Sequence, residues 1–87
     1  MTTLAAQADE RVSGVHFTAR FLVVDLNDGR QLSVPLEWYS RLANAPAEER
    51  ENWEVCGGGF GNHWPDLDED LSTEGLLRGA RAPKKDD

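Results

Sequence analysis

The sequence predicts an α+β fold: a small antiparallel sheet of about four strands built from hairpins, with two or three short helices packed against it. Three observations carry this expectation. The run from Arg20 to Leu26 is rich in branched and aromatic residues and ends at the turn-forming Asn27-Asp28-Gly29-Arg30. Leu36, Tyr39 and Ala43 recur at spacings of three and four, with Trp38 and Leu42 also four apart. Asn52 to Cys56 alternates polar and apolar residues just ahead of a glycine cluster.

In chain order, residues 1–10 are mostly small and polar and are expected to form a disordered arm. Val12 to Phe17 reads as a short strand, and Arg20 to Leu26 as the strongest one. Gly29 supplies the positive φ that closes the hairpin, and Gln31 to Val34 returns. If Leu22, Val24 and Leu26 share one face, Leu32 and Val34 meet them there, while Phe21 and Val23 lie opposite and need a second cover. Pro35 ends the strand, and Leu36 to Ala43 reads as an amphipathic helix. Pro46 suits a first helical position, with Glu48 and Glu49 in the first turn, where the amide dipoles favour carboxylates.

Asn52 to Cys56 then reads as a half-buried strand, Trp53 and Val55 on one side and Glu54 on the other. Gly57, Gly58, Gly59 and Gly61 break regular structure and read as a hairpin loop. The acidic stretch from Asp66 to Asp70 reads as a solvated cluster leading into a last helix, capped by Ser72, running through Leu76 and Leu77 and stopped by Gly79. Domain boundaries follow: an arm over 1–10, one domain over 11–79, and a charged flexible tail over 80–87.

An 87-residue chain has material for one core, and 39% hydrophobic with 29% charged residues is ordinary for a globular domain. No apolar run approaches the ~18 residues of a membrane span, and the opening residues lack the pattern of a signal peptide, so a cytoplasmic location is expected. The lone Cys56 cannot pair within the chain, which fits a reducing compartment.

Charge narrows the function classes. Nine Lys and Arg against sixteen Asp and Glu give a net charge of −7. Such a field repels phosphate backbones, so direct nucleic-acid binding is not expected. The acid falls in two groups, Glu48, Glu49, Glu51 and Glu54, then Asp66, Asp68, Glu69, Asp70 and Glu74. Either is a solvated face or a docking surface for a basic protein.

Catalytic templates fit poorly. The glycine cluster lacks the third glycine of a dinucleotide fingerprint and is followed by no Walker lysine. Asp66, Asp68 and Asp70 alternate as in a calcium loop, but Leu71 stands where that loop needs glycine and Leu77 where it needs glutamate. Cys56, His16 and His63 have no zinc spacing. Cys56 has two readings, a nucleophile with His63 as its base and a small buried structural residue. No metal or cofactor is expected. Trp38, Trp53 and Trp64 are read as core anchors, or one of them, Trp64 or Trp38 with Tyr39, as an exposed interface anchor.

Five blocks stand here in one order: Asp28-Gly29-Arg30, Leu32-Ser33-Val34-Pro35-Leu36, Trp38-Tyr39, Asn52-Trp53-Glu54, and the run from His63-Trp64-Pro65-Asp66 through Gly75-Leu76-Leu77. They resemble the bacterial domain-of-unknown-function family numbered twenty-four forty-two, over Val12 to Gly79. The resemblance implies a small α+β domain of strand hairpins and short helices. Some relatives carry a helix-turn-helix extension and are regarded as regulators; this sequence shows none, so that role does not transfer. Others resemble the second member of a gene pair, in the manner of a toxin and antitoxin. The family brings no catalytic residues. Ser40 stands where a proline is expected after Trp-Tyr.

The functional expectation is a small acidic protein-binding module, the antitoxin-like or regulatory member of a two-gene pair, with a small basic protein encoded nearby as partner. Its candidate partner-binding residues are Trp38, Tyr39, His63, Trp64, Asp66, Asp68, Glu69 and Asp70. The alternatives are a metal-dependent or hydrolase-like enzyme using His63 with the Asp66–Asp70 cluster, and a structural homodimer.

Overall fold

Leu22 lies opposite Val34 on one neighbouring strand and Phe17 on the other, and this register sorts the side chains of the first sheet except between Val12 and Gly14, where the pairing shifts. The computed structural model describes residues 7–79, so residues 1–6 of the expected arm and the whole expected tail lie outside the described residues. Strands β1 (Val12–Phe17), β2 (Phe21–Leu26) and β3 (Gln31–Pro35) form an antiparallel sheet in that order. Leu22, Val24, Leu26, Leu32 and Val34 share its inner face, as their alternation predicts. Phe21 and Val23 point the other way. Val23 is buried between His16 and Ser33, whereas Phe21 stays 41% exposed.

Gly29 takes φ 97° in the β2–β3 turn, and its amide donates to Leu26 O at 3.0 Å. Asp28 secures the turn by accepting from the Arg30 amide at 3.1 Å and from the Asp9 amide at 2.9 Å, which ties the segment before β1 to the hairpin.

Leu36 to Ala43 is not one helix. A 3₁₀ turn over Leu36–Trp38 ends at Tyr39 (φ −127°, ψ 83°), and helix α1 covers only Ser40–Ala43. The physical reason lies in the spacing. Leu36, Tyr39 and Leu42 all reach the core, and intervals of three suit a tight turn with a break better than a 3.6-residue helix. Helix α2 (Ala47–Arg50) has Glu48 and Glu49 in its first turn, as expected, while Pro46 stands one place earlier than expected, as an extended N-cap (ψ 159°).

Among the described residues the strand count is six, in two sheets. Beyond β4 (Glu54–Cys56) and a 3₁₀ turn at Gly57–Gly59 come β5 (Gly61–Trp64) and β6 (Glu69–Ser72), ordered β4-β5-β6 and antiparallel throughout. The acidic stretch is therefore a hairpin turn running into a strand, not the approach to a helix. The turn after Trp64 is closed by the Leu67 amide donating to Trp64 O at 3.1 Å, with Asp68 at φ 51°. Val55 remains 47% exposed because β4 is a sheet edge.

Helix α3 (Thr73–Arg78) ends the described fold. The Ser72 hydroxyl accepts from the Gly75 amide at 2.9 Å, and Gly79 closes the helix in the left-handed region, both as the sequence predicts. Trp64 and Leu71 from the second sheet meet the inner face of the first, with Leu36, Tyr39, Leu42 and Leu76 completing the core.

Candidate functional site

Because successive side chains of a strand alternate, burying Trp64 aims His63 outward. The β4–β5–β6 register places Glu54 and Asp70 on either side of it, so that Glu54, His63 and Asp70 form one cross-strand row. His63 Nδ1 and Asp70 Oδ1 lie 2.5 Å apart, both side chains partly exposed. The next row on that face is Cys56, Gly61 and Ser72. At Gly61 a Cβ would stand 3.2 Å from Cys56 Sγ and 3.2 Å from Leu71 O, so a side chain there would push both neighbours by a few tenths of an ångström.

Burial pushes the Cys56 thiol up, and the carboxylates of Asp70 and Glu54 add to the effect. A thiol so placed stays protonated, which is the opposite of what a nucleophile needs. Among the described residues no group of three or more His, Cys, Asp and Glu is arranged to hold a metal ion. Concavities of about 480, 570 and 680 Å³ open elsewhere on the surface, and His63 lines none of these three.

The eight residues singled out in the sequence divide by strand parity and turn geometry. His63, Asp66, Asp68 and Asp70 reach the surface. Asp66 accepts from Asn52 Nδ2 at 2.9 Å, and the Asp68 carbonyl accepts from Arg41 at 2.6 Å. Glu69 does not join them. It faces inward opposite Trp64, 6% exposed, with Arg41 at 3.8 Å. Burial raises its pKa, Arg41 works against that rise, and Asp70 and Asp68 add to it.

Tyr39 and Trp64 are both fully buried, so an exposed-anchor role for either ring is corrected to that of a core residue. Tyr39 is carried inward by the break in the helix, and Trp64 by its alternation with His63. Trp38 is half-buried, its ring against Gly79. Glu54 and Cys56 are the face residues that the sequence reading left out of the site. The alternation around Trp53 shows which way Glu54 points, but only the β4–β5 pairing reveals that His63 is its neighbour.

The family model described as "Protein of unknown function (DUF2442)" matches residues 12–82. The chain belongs to this family. Two solved structures resemble this DUF2442 chain. A protein of unknown function from Rhodospirillum rubrum ATCC 11170 superposes with a TM-score of 0.71 at 30% identity, covering 85% of this chain and 92% of that one. The uncharacterized protein CV0863 from Chromobacterium violaceum gives a TM-score of 0.71 at 25% identity, covering 84% of this chain and 69% of that one. No curated protein matches significantly. The α+β architecture is thus shared with both solved structures, and the descriptions of family and relatives name no activity. Among the described residues no helix is long and apolar enough to cross a membrane.

Proposed function

We propose that this DUF2442 chain is a protein-binding module that receives a basic partner on the outer face of its second sheet. The observation that carries the reading is the Glu54–His63–Asp70 row. Two carboxylates are held on an exposed face with a single imidazole between them, and the turn adds Asp66 and Asp68 beside them. Like charges kept together on a rigid sheet cost self-repulsion, which a cationic partner relieves. Three acids elsewhere each have an arginine partner: Asp9 has Arg11, Asp28 has Arg30 and Glu74 has Arg78. In a two-gene arrangement, a small basic neighbour held on this face makes the chain its antitoxin-like or regulatory member.

Co-expression with the product of the adjacent gene tests the reading. The wild-type pair is expected to co-purify with an affinity that falls steeply as salt rises. Glu54→Lys with Asp70→Lys should weaken binding by roughly tenfold or more while leaving the circular dichroism spectrum intact, a change of about 1.4 kcal/mol. Equal binding by the doubly reversed variant overturns the assignment of this face. A neighbour that never co-purifies overturns the two-gene role.

A further inference from the structure

We propose that Asn62 and Thr73 together hold one ordered internal water molecule, which joins the middle of β5 to the first residue of α3. The proposal is independent of the docking face, since both side chains point to the opposite side of the sheet.

Asn62 is 1% exposed and Thr73 2%, and within these buried side chains the Asn62 Nδ2 and Thr73 Oγ1 atoms have no hydrogen-bond partner among the described residues. Buried polar atoms in native proteins are almost always satisfied, and where protein groups do not reach, an ordered water commonly does. Two such orphans close together are more informative than one, because a bridging water requires at least two polar partners.

The register puts them close together. Asn62 lies opposite Leu71 in the β5–β6 ladder. One step beyond the end of β6 the Thr73 amide donates to Phe60 O at 2.8 Å, so the pairing continues with Thr73 opposite Phe60. Ser72 is extended (φ −99°, ψ 150°), so Thr73 keeps the strand parity and turns to the same inward face as Leu71 and Asn62. Asn62 and Thr73 are therefore diagonal neighbours on one face. Diagonal positions lie about 7–8 Å apart at Cα and somewhat less at Cβ. At that spacing the two polar atoms make no hydrogen bond to each other, and two hydrogen bonds of about 2.9 Å through one oxygen join them.

The donor and acceptor chemistry selects the occupant. Asn62 Nδ2 only donates, so the bridging atom must accept from it, while Thr73 Oγ1 both donates and accepts. Water meets both demands. Trp64, Leu71 and Leu76 on the inner face disfavour an unpaired charge, and the buried carboxylate of that face, Glu69, already has Arg41 at 3.8 Å. The bridge sits at the corner where β6 becomes α3, which the Ser72 cap secures from the solvent side. With the water in place the corner is fixed from both sides.

A crystal structure of the full chain at a resolution that shows ordered solvent tests this directly. The expected result is a density peak within about 2.7–3.2 Å of both Asn62 Nδ2 and Thr73 Oγ1. Thr73→Val, which keeps the volume and removes the hydroxyl, should lose the peak, and Thr73→Ser should retain it. Absence of the peak in the wild type, a direct Asn62–Thr73 hydrogen bond in its place, or a peak that survives Thr73→Val would each overturn the proposal. If the valine variant fails to fold, the wild-type map decides alone.

Discussion

The indole N–H of Trp64 donates to the main-chain carbonyl of Arg50 at 2.9 Å, linking the end of β5 to the end of α2. Arg50 extends the link through its side chain. Its guanidinium donates to the carbonyls of Leu42 and Ala43, each at 2.8 Å, and lies 5.5 Å from the Phe17 ring centroid. Phe17 in turn meets the Trp64 ring edge-on at 6.3 Å. The irregular connector between the two sheets is thus held by one arginine that answers the last carbonyls of α1 and by one tryptophan that answers the carbonyl of that arginine.

Trp64→Phe is expected to destabilise the chain by about 1–3 kcal/mol, because the Arg50 carbonyl loses its donor in a partly buried place. Trp64→Ala should cost about 3–5 kcal/mol, as large aromatic truncations in cores do. Urea denaturation followed by circular dichroism measures both. A phenylalanine variant as stable as the wild type would show that the indole bond contributes nothing.

Arg50→Lys should not rescue what Arg50→Ala loses. Lysine has a point charge in place of a planar fork and cannot serve two adjacent carbonyls while stacking on Phe17. Both variants are expected to lose about 1.5–3 kcal/mol in the same denaturation experiment, the scale for hydrogen bonds from a charged donor.

Glu69 gives a pH dependence whose sign is fixed by its surroundings. Its pKa is raised by burial, so the folded state holds the proton more tightly than the unfolded one. Its contribution to stability is fully present below the ordinary carboxyl pKa of 4.5 and is lost as pH rises through the higher folded value. Glu69→Gln is expected to raise the thermal midpoint at pH 7 and to flatten the profile over that window. A midpoint that falls at pH 7 would show that the pairing with Arg41 outweighs the burial.

Asp9 behaves in the opposite sense. Its side-chain bond to Arg11, with the Arg11 amide assisting, lowers its pKa from 3.8 to about 2. The contribution it makes is present above 3.8 and disappears as pH falls through about 2. Carboxyl-carbon NMR titration should place its midpoint near that lower value, and Arg11→Ala should move it back toward 3.8.

The first sheet was legible because its signals are local. Branched residues in β2, the Asn27-Asp28-Gly29 turn and the alternation of Leu22, Val24 and Leu26 all lie within a few residues of what they specify. The β5–β6 hairpin was not. β5 opens with Gly61 and Asn62, and β6 with Glu69 and Asp70, residues poor in strand propensity whose pairing is set by burial across the ladder. The alternation of buried Asn62, Trp64, Glu69 and Leu71 around the turn at Pro65 and Asp66 is a faint trace of it, and two of those four are polar. The outer face of the second sheet was hidden for the same reason. His63 and Asp70 both stand out in the sequence, but their meeting with Glu54 depends on that hairpin and on its pairing with β4.

Gly59 separates two costs that a single substitution would merge. Its φ of 101° lies where L residues are rarely found, and a Cβ there would stand 2.9 Å from Arg11 Cγ. The left-handed conformation alone costs a residue with a Cβ roughly 1–2 kcal/mol, and the contact with Arg11 adds to it. Gly59→Ala should therefore destabilise by about 1–2 kcal/mol or somewhat more. In an Arg11→Ala background the contact with Cγ is gone but the backbone requirement stays. The loss on Gly59→Ala should then shrink without vanishing. A loss unchanged by Arg11→Ala would assign the effect to the backbone together with the Arg11 Cβ, 3.2 Å away, which alanine keeps, and no loss in either background would show that the loop relaxes to another conformation. Urea midpoints of the four proteins in this cycle distinguish the outcomes.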